Sequence, residues 1–185
     1  MKEFFVRNLK RSKPELWILI GPIVSFFVGV VTHFLYDWTG SSVVGAFCPV
    51  NESVWEHLKL AVFFPFLWWL LFFVAAHKKF DIDKNKWFYA SFVSLITPIF
   101  VIPAIFYFYR GAFGVGILAI DIFSLFVGLL CGHLLGLRVY NHSKGMNFII
   151  PLLLSVAILT FFVIFTFFTP QIPIFKCSIK GTYGI

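Results

Sequence analysis

Leu16-Trp-Ile-Leu-Ile-Gly-Pro-Ile-Val-Ser-Phe-Phe-Val-Gly-Val-Val-Thr-His-Phe-Leu-Tyr36 contains no Asp, Glu, Lys or Arg. At the rise of an α-helix this stretch is about 31 Å long, which matches a hydrocarbon core about 30 Å thick. It follows a basic segment, as a signal peptide would. However, it is too long for a signal h-region and no small-residue cleavage site follows, so it is read as a retained span. Four further apolar runs cover 55–76, 87–109, 112–137 and 146–169. The whole chain is 60% hydrophobic and 12% charged, with 27 Phe and a mean hydropathy of +0.93. Soluble domains hold about 45–50% apolar and about 25% charged residues. Too few polar residues remain to build a large extramembrane catalytic domain. The expected fold is an all-α membrane protein: one integral membrane domain over 1–185, built as a bundle of five transmembrane helices.

Charge sets the expected orientation. The net charge is +7. Basic residues mark the cytoplasmic side of a membrane protein, so this charge needs no nucleic-acid partner. Eleven of the fifteen Lys and Arg fall before the first run, in loop 77–86 or in loop 138–145, all on one side if there are five spans. Arg110, Lys176 and Lys180 fall on the other, with Lys59 at its rim. This places the N-terminus inside and the C-terminus outside. The basic segment from Lys2 to Lys13 is expected to lie on the anionic inner leaflet. Trp68, Trp69 and Trp87 fit an inner aromatic belt, and Trp38, Trp55 and Tyr107 an outer one. Loop 38–54 is too apolar to be freely solvated and is expected to dip back into the outer leaflet, its backbone covered by protein or facing a water cavity. The tail 170–185 is expected to fold over the outer mouth. Cys48 and Cys177 both fall outside, where a disulfide is one option among several.

Three features depart from a plain apolar bundle. On the first span Gly21, Ser25, Gly29, His33 and Asp37 recur every fourth residue and share one helix face. Small residues there admit a close neighbour, and the ionisable pair sits near the outer surface. Next comes Cys48-Pro-Val-Asn-Glu-Ser-Val-Trp-Glu-His-Leu-Lys59, in which Asn51 or Ser53 can cap the following helix. The helix dipole accounts for acids at its start, but not for His57 or Lys59. On the fourth span Asp121 is expected roughly 13 Å below the outer end, where an isolated carboxylate costs at least a few kcal/mol. Gly128, Gly132 and Gly136 on that span form a repeated small-xxx-small pattern, read as a tight helix contact and as the place where two copies of the chain could pair. His133 beside them is read as a hydrogen-bonded core residue.

His33, Asp37, Glu52, Glu56, His57, Lys59 and Asp121 therefore all fall in the outer half, on three spans and one loop, and form the candidate catalytic set. His33, Glu56, His57 and Asp121 are candidate ligands for a divalent cation such as Zn²⁺, although no His-Glu-x-x-His motif is present. The same residues also fit a purely structural arrangement of two ion pairs, Glu56–Lys59 and Asp121–Arg110.

The motif Asn51-Glu-Ser-Val-Trp-Glu-His-Leu-Lys59, with His33-x-x-x-Asp37 before it and a Tyr-Gly-Ile end, resembles a family of small multi-pass membrane proteins from Gram-positive bacteria known only as a domain of unknown function. The resemblance implies a location in the bacterial cytoplasmic membrane and no activity. There is a distant likeness to the seven-span hydrolases of the ceramidase and adiponectin-receptor type, but this chain is two spans short and lacks their closing His-x-x-x-His. Three functions fit these residues. One is an intramembrane enzyme acting on a lipid-like substrate, through a carboxylate–His base or a metal-activated water. Another is a small proton- or cation-coupled transporter centred on Asp121. The third is a non-catalytic scaffold subunit. Besides the bilayer, the expected partners are a lipid or small-molecule ligand and a second copy of the chain.

Overall fold

The structure is a computed structural model and describes residues 13–185. The surface helix expected over 2–13 lies, but for its last residue, outside the described residues. The described residues form helices joined by short loops, with one isolated β-bridge, Lys176 to Tyr183. Helix α1 (Lys13–His33) is continued, after a break at Phe34, by the short α2 (Leu35–Thr39). Then follow α3 (Ser42–Phe47), α4 (Val54–Ala76), α5 (Lys84–Phe113), α6 (Leu118–His142) and α7 (Ile149–Phe167). A 3-10 turn, Pro173–Phe175, opens the tail. Five helices are long and apolar enough to cross a membrane: Pro14–Thr39, α4, α5, α6 and α7. Their outer surfaces carry large apolar side chains, among them Phe27, Leu71, Phe100, Phe123 and Leu153, each at least 60% exposed. Such a surface suits lipid and would be unstable in water.

One helix boundary moves a functional residue. The fourth span, expected from 112, begins at 118 because α5 runs on through Phe113. Gly114 then stops α5 in the left-handed region at φ +69°, its N–H closing on the Arg110 carbonyl. Asp121 consequently sits in the first turn of α6, not nine residues inside a span.

The bundle is held by two apolar clusters. Near loops 77–83 and 143–148, Ile18, Trp69, Phe72 and Trp87 pack together. Trp69 and Trp87, read as a lipid-facing belt, are instead at most 1% exposed, and the Trp87 indole N–H donates to the Trp69 carbonyl. A bundle whose exterior is already apolar has no need to send its largest rings outward. Towards the other end, Leu58, Val62, Leu95, Leu129 and Phe162 form the second cluster.

Between the two clusters α5 and α6 make the most extensive helix contact. Gly128 lies under Ile102 and Pro98, Gly132 under the Ser94 carbonyl and Gly136 under the Ala90 carbonyl. The tight helix contact expected at this glycine face is made with α5 of the same chain. The stripe on α1 is used in the same way: Gly21 lies against His133 and Trp68, and Gly29 against Leu60 and Leu125. His133 is fully buried, with Nδ1 2.9 Å from the Leu129 carbonyl.

Candidate metal centre

Alternation of the spans brings the end of α1, the start of α4, the end of α5, the start of α6 and the C-terminal tail to one end of the bundle. Segment 48–57 organises that end. Asn51 Oδ1 accepts from the Ser53 N–H, and Ser53 Oγ in turn accepts from the Glu56 N–H, so Ser53 is the N-cap of α4. This starts the helix at Val54 and leaves Glu52 in the loop, free of helical phase. Residues adjacent on a helix point about 100° apart, so Glu56 and His57 face different surroundings.

Glu56 turns inward. Its Oε2 lies 2.6 Å from Lys59 Nζ and also accepts from the Val50 N–H at 3.0 Å. Lys59 spends its other donors on the carbonyls of Gly45, at 2.7 Å, and Cys48, at 3.3 Å. These are the backbone groups of α3 and the bend after it, so the buried pair fastens loop 38–54 onto α4. The Thr166 hydroxyl donates to Glu56 Oε1 and ties in α7.

His57 turns to the partly exposed side and meets His33, the last residue of α1. Their Nε2 atoms are 2.9 Å apart. Glu52 reaches over both: Oε2 is 3.2 Å from His57 Nε2, and Oε1 is 3.6 Å from His33 Nε2. The three side chains are 22%, 33% and 37% exposed for His33, His57 and Glu52. His57 Nδ1 lies 2.8 Å from the Ser53 carbonyl. A carbonyl only accepts, so Nδ1 carries a proton. A neutral His57 can accept from a His33 Nε2–H, but its lone pair then also faces the Glu52 carboxylate, and that contact is unfavourable unless a cation lies between them. That cation is either a proton shared within the cluster or a metal ion. The pairing also acts on Glu52. Its hydrogen bond with His57, and then the positive charge of His57 and His33, hold its carboxyl below the usual range against the opposing effect of burial.

A tetrahedral Zn²⁺ with bonds of about 2.0–2.1 Å sets its ligand atoms about 3.3 Å apart. The separations of 2.9, 3.2 and 3.6 Å bracket that value. Among the described residues His33, Glu52 and His57 are the group able to hold a metal ion in this way. An Nδ1–H fixed on a backbone carbonyl is the usual outer support of a metal-binding imidazole.

Of the expected ligands, His33 and His57 are brought together, whereas Glu56 and Asp121 are held elsewhere. Asp121 accepts from Tyr109 at 2.6 Å and from Arg110 at 2.8 Å. The first-turn position of Asp121 makes this possible, since Tyr109 and Arg110 lie near the end of α5 just across the loop. Asp37, one helical turn beyond His33, is exposed and lines a cavity of about 190 Å³ together with His33 and Glu52.

The tail closes this end. The Ser178 N–H and hydroxyl both donate to the Glu52 carbonyl, and Asn51 Nδ2 donates to the Gly184 carbonyl. Phe175 is buried against Trp55 and Phe165. Cys48 and Cys177 are free thiols. Lys176 and Lys180, outside the expected site, stand at its edge. Their signal in the sequence was that they break the basic-residue asymmetry.

The chain belongs to the family of unknown function DUF6512. The match covers residues 6–185, nearly the whole chain. No curated protein and no solved structure matches it.

Proposed function

We propose that this DUF6512 member is a membrane metalloprotein in which His33, Glu52 and His57 hold a divalent cation of the Zn²⁺ class. We further propose that it hydrolyses a lipid-like substrate. The observation that carries this reading is the convergence of two imidazole Nε2 atoms and one carboxylate within 3.6 Å, with His57 Nδ1 anchored on a carbonyl.

Three protein ligands leave a fourth position for water, the pattern of catalytic rather than structural zinc. If His33, Glu52 and His57 hold such an ion, the chemistry it would supply is a bound water with a pKa of about 7. Asp37, on the wall of the same cavity as His33 and Glu52, would be the carboxylate to accept a proton from such a water. The lipid-facing flanks of the bundle give an amphiphile a route along the membrane to this end.

The asymmetry of the basic residues favours an outward-facing site, with the N-terminus inside and the C-terminus outside. The resemblance to bacterial proteins favours the cytoplasmic membrane.

Elemental analysis of detergent-purified protein tests the proposal. About one equivalent of metal per chain is expected, reduced at least about tenfold in His33→Ala and His57→Ala. Wild-type protein that stays metal-free after incubation with Zn²⁺ and desalting would overturn it.

A further inference from the structure

Glu52 stands on the wall between two cavities. The smaller is the one that holds the His33 edge. The larger, of about 530 Å³, lies between the end of α5 and the tail, and a pocket of this size takes an amphiphile's headgroup and the start of its chains. Its walls divide by chemistry. Phe106, Tyr107 and Val54 give an apolar side, while Arg110, Lys176 and Lys180 give a cationic one.

The acid on its lining is Glu52, and that carboxylate is already engaged by two imidazoles. Arg110 shares its charge with Asp121 through Nη2, and its Nε donates to Tyr109. Neither Lys176 nor Lys180 takes part in an ion pair among the described residues. Two lysines without an ion-pair partner therefore line one hollow. They are held there by the Ser178 hydrogen bonds to the Glu52 carbonyl, which tie the tail to the metal-ligand residue.

We propose that this cavity binds the phosphate of an anionic amphiphile, a phosphate-bearing lipid, and presents it to the His33–Glu52–His57 centre. The proposal names the substrate class of the function proposed above and rests on that function for the chemistry. It does not rest on it for the binding. Lysine ammonium groups supply point charges for phosphate oxygens, and the aromatic and aliphatic side accepts the first methylenes of the chains.

Binding of soluble dioctanoyl phosphatidic acid, dioctanoylglycerol and inorganic phosphate to the full-length protein in neutral detergent is the test, with metal content measured on the same samples. Expected is preference for the phosphatidic acid over both other probes, and about a tenfold or greater loss of that binding in Lys176→Gln/Lys180→Gln with metal content unchanged. Equal binding of dioctanoylglycerol, or undiminished binding by the double variant, would overturn the cationic site. Inorganic phosphate binding as well as the lipid does would overturn the amphiphile. Loss of metal in His57→Ala with lipid binding retained separates the two proposals and supports this one. A metal-free wild type that still discriminates the lipid would sink only the metal reading.

Discussion

Lys59 Nζ lies 2.6 Å from Glu56 Oε2, and the two side chains are 0% and 3% exposed. The ammonium has three protons and uses all of them, on Glu56 and on the carbonyls of Gly45 and Cys48. Lys59→Met would leave a buried carboxylate without its counter-charge and two carbonyls without the ammonium donor. Removing one member of a buried pair costs about 3–5 kcal/mol, so unfolding in mixed micelles should shift by that order. Glu56→Gln/Lys59→Met should recover part of the loss, because no buried charge remains. A single variant as stable as the wild type would mean that loop 38–54 is not fastened through this pair.

The five spans were legible because apolar runs of membrane length have few other uses, and the short loops between them left little freedom in pairing. The ion pairs Glu56–Lys59 and Asp121–Arg110 were legible from helical spacing and from proximity across a short loop. The candidate metal-ligand set was harder to read. Glu56 and His57 are neighbours in sequence and were grouped together, yet adjacent helical residues diverge by about 100°. The end of α5 was harder still. Arg110 reads as a stop signal, but the residues after it, Gly-Ala-Phe113, continue the helix. Only the left-handed Gly114 ends it, and that set Asp121 at the surface of the bundle. That the tail folds over this end was expected, but its attachment to the Glu52 carbonyl, through the Ser178 N–H and hydroxyl, follows from no spacing in the sequence.

Gly132 and Gly111 provide a matched pair of tests for the α5–α6 contact. A Cβ at Gly132 would run into the Ser94 carbonyl, a backbone atom that cannot swing aside. Gly132→Ala should therefore destabilise the protein by about 1–3 kcal/mol, the range for overpacking a close contact. At Gly111 a Cβ meets nothing within 4 Å, and the residue lies inside α5. Gly111→Ala should be neutral or stabilising by up to about 1 kcal/mol, the helical advantage of Ala over Gly. Equal losses in both variants, measured by thermal unfolding in detergent, would remove the close α5–α6 approach as the cause.

Glu52 sets a pH dependence in metal-free protein. Its carboxyl is held below the ordinary value of 4.5 by the His57 hydrogen bond and then by the charge of the two imidazoles. A depressed folded-state value means that the unfolded chain takes up the proton first. The stabilisation is then fully present above the ordinary value and is lost as pH falls through the folded one. The side chain is more than a third exposed, so solvent weakens the effect. With chelator present, the unfolding midpoint should fall more steeply below about pH 4.5 in the wild type than in Glu52→Gln. Parallel curves would show that the His57–Glu52 contact does not persist.

The same two imidazoles link metal to stability in the opposite experimental direction. An ion that binds the folded chain and not the unfolded one stabilises it by about 2.7 kcal/mol at a hundred times its Kd. His33 and His57 stand on α1 and α4, which already pack where Gly29 meets Leu60, so an ion held by all three side chains would add a further tie between the two helices. Adding Zn²⁺ to chelator-treated protein should raise the unfolding midpoint, and chelator should reverse the rise. His57→Ala should abolish the response, since its Nε2 is the atom that faces both other ligands and its ring is the one fixed by the Ser53 carbonyl. Glu56→Gln should keep the response, although its baseline stability is lower, because Glu56 faces Lys59 and not the imidazoles. If the response survives in His57→Ala and disappears in Glu56→Gln, the ion is bound by the buried carboxylate and not by the histidine pair.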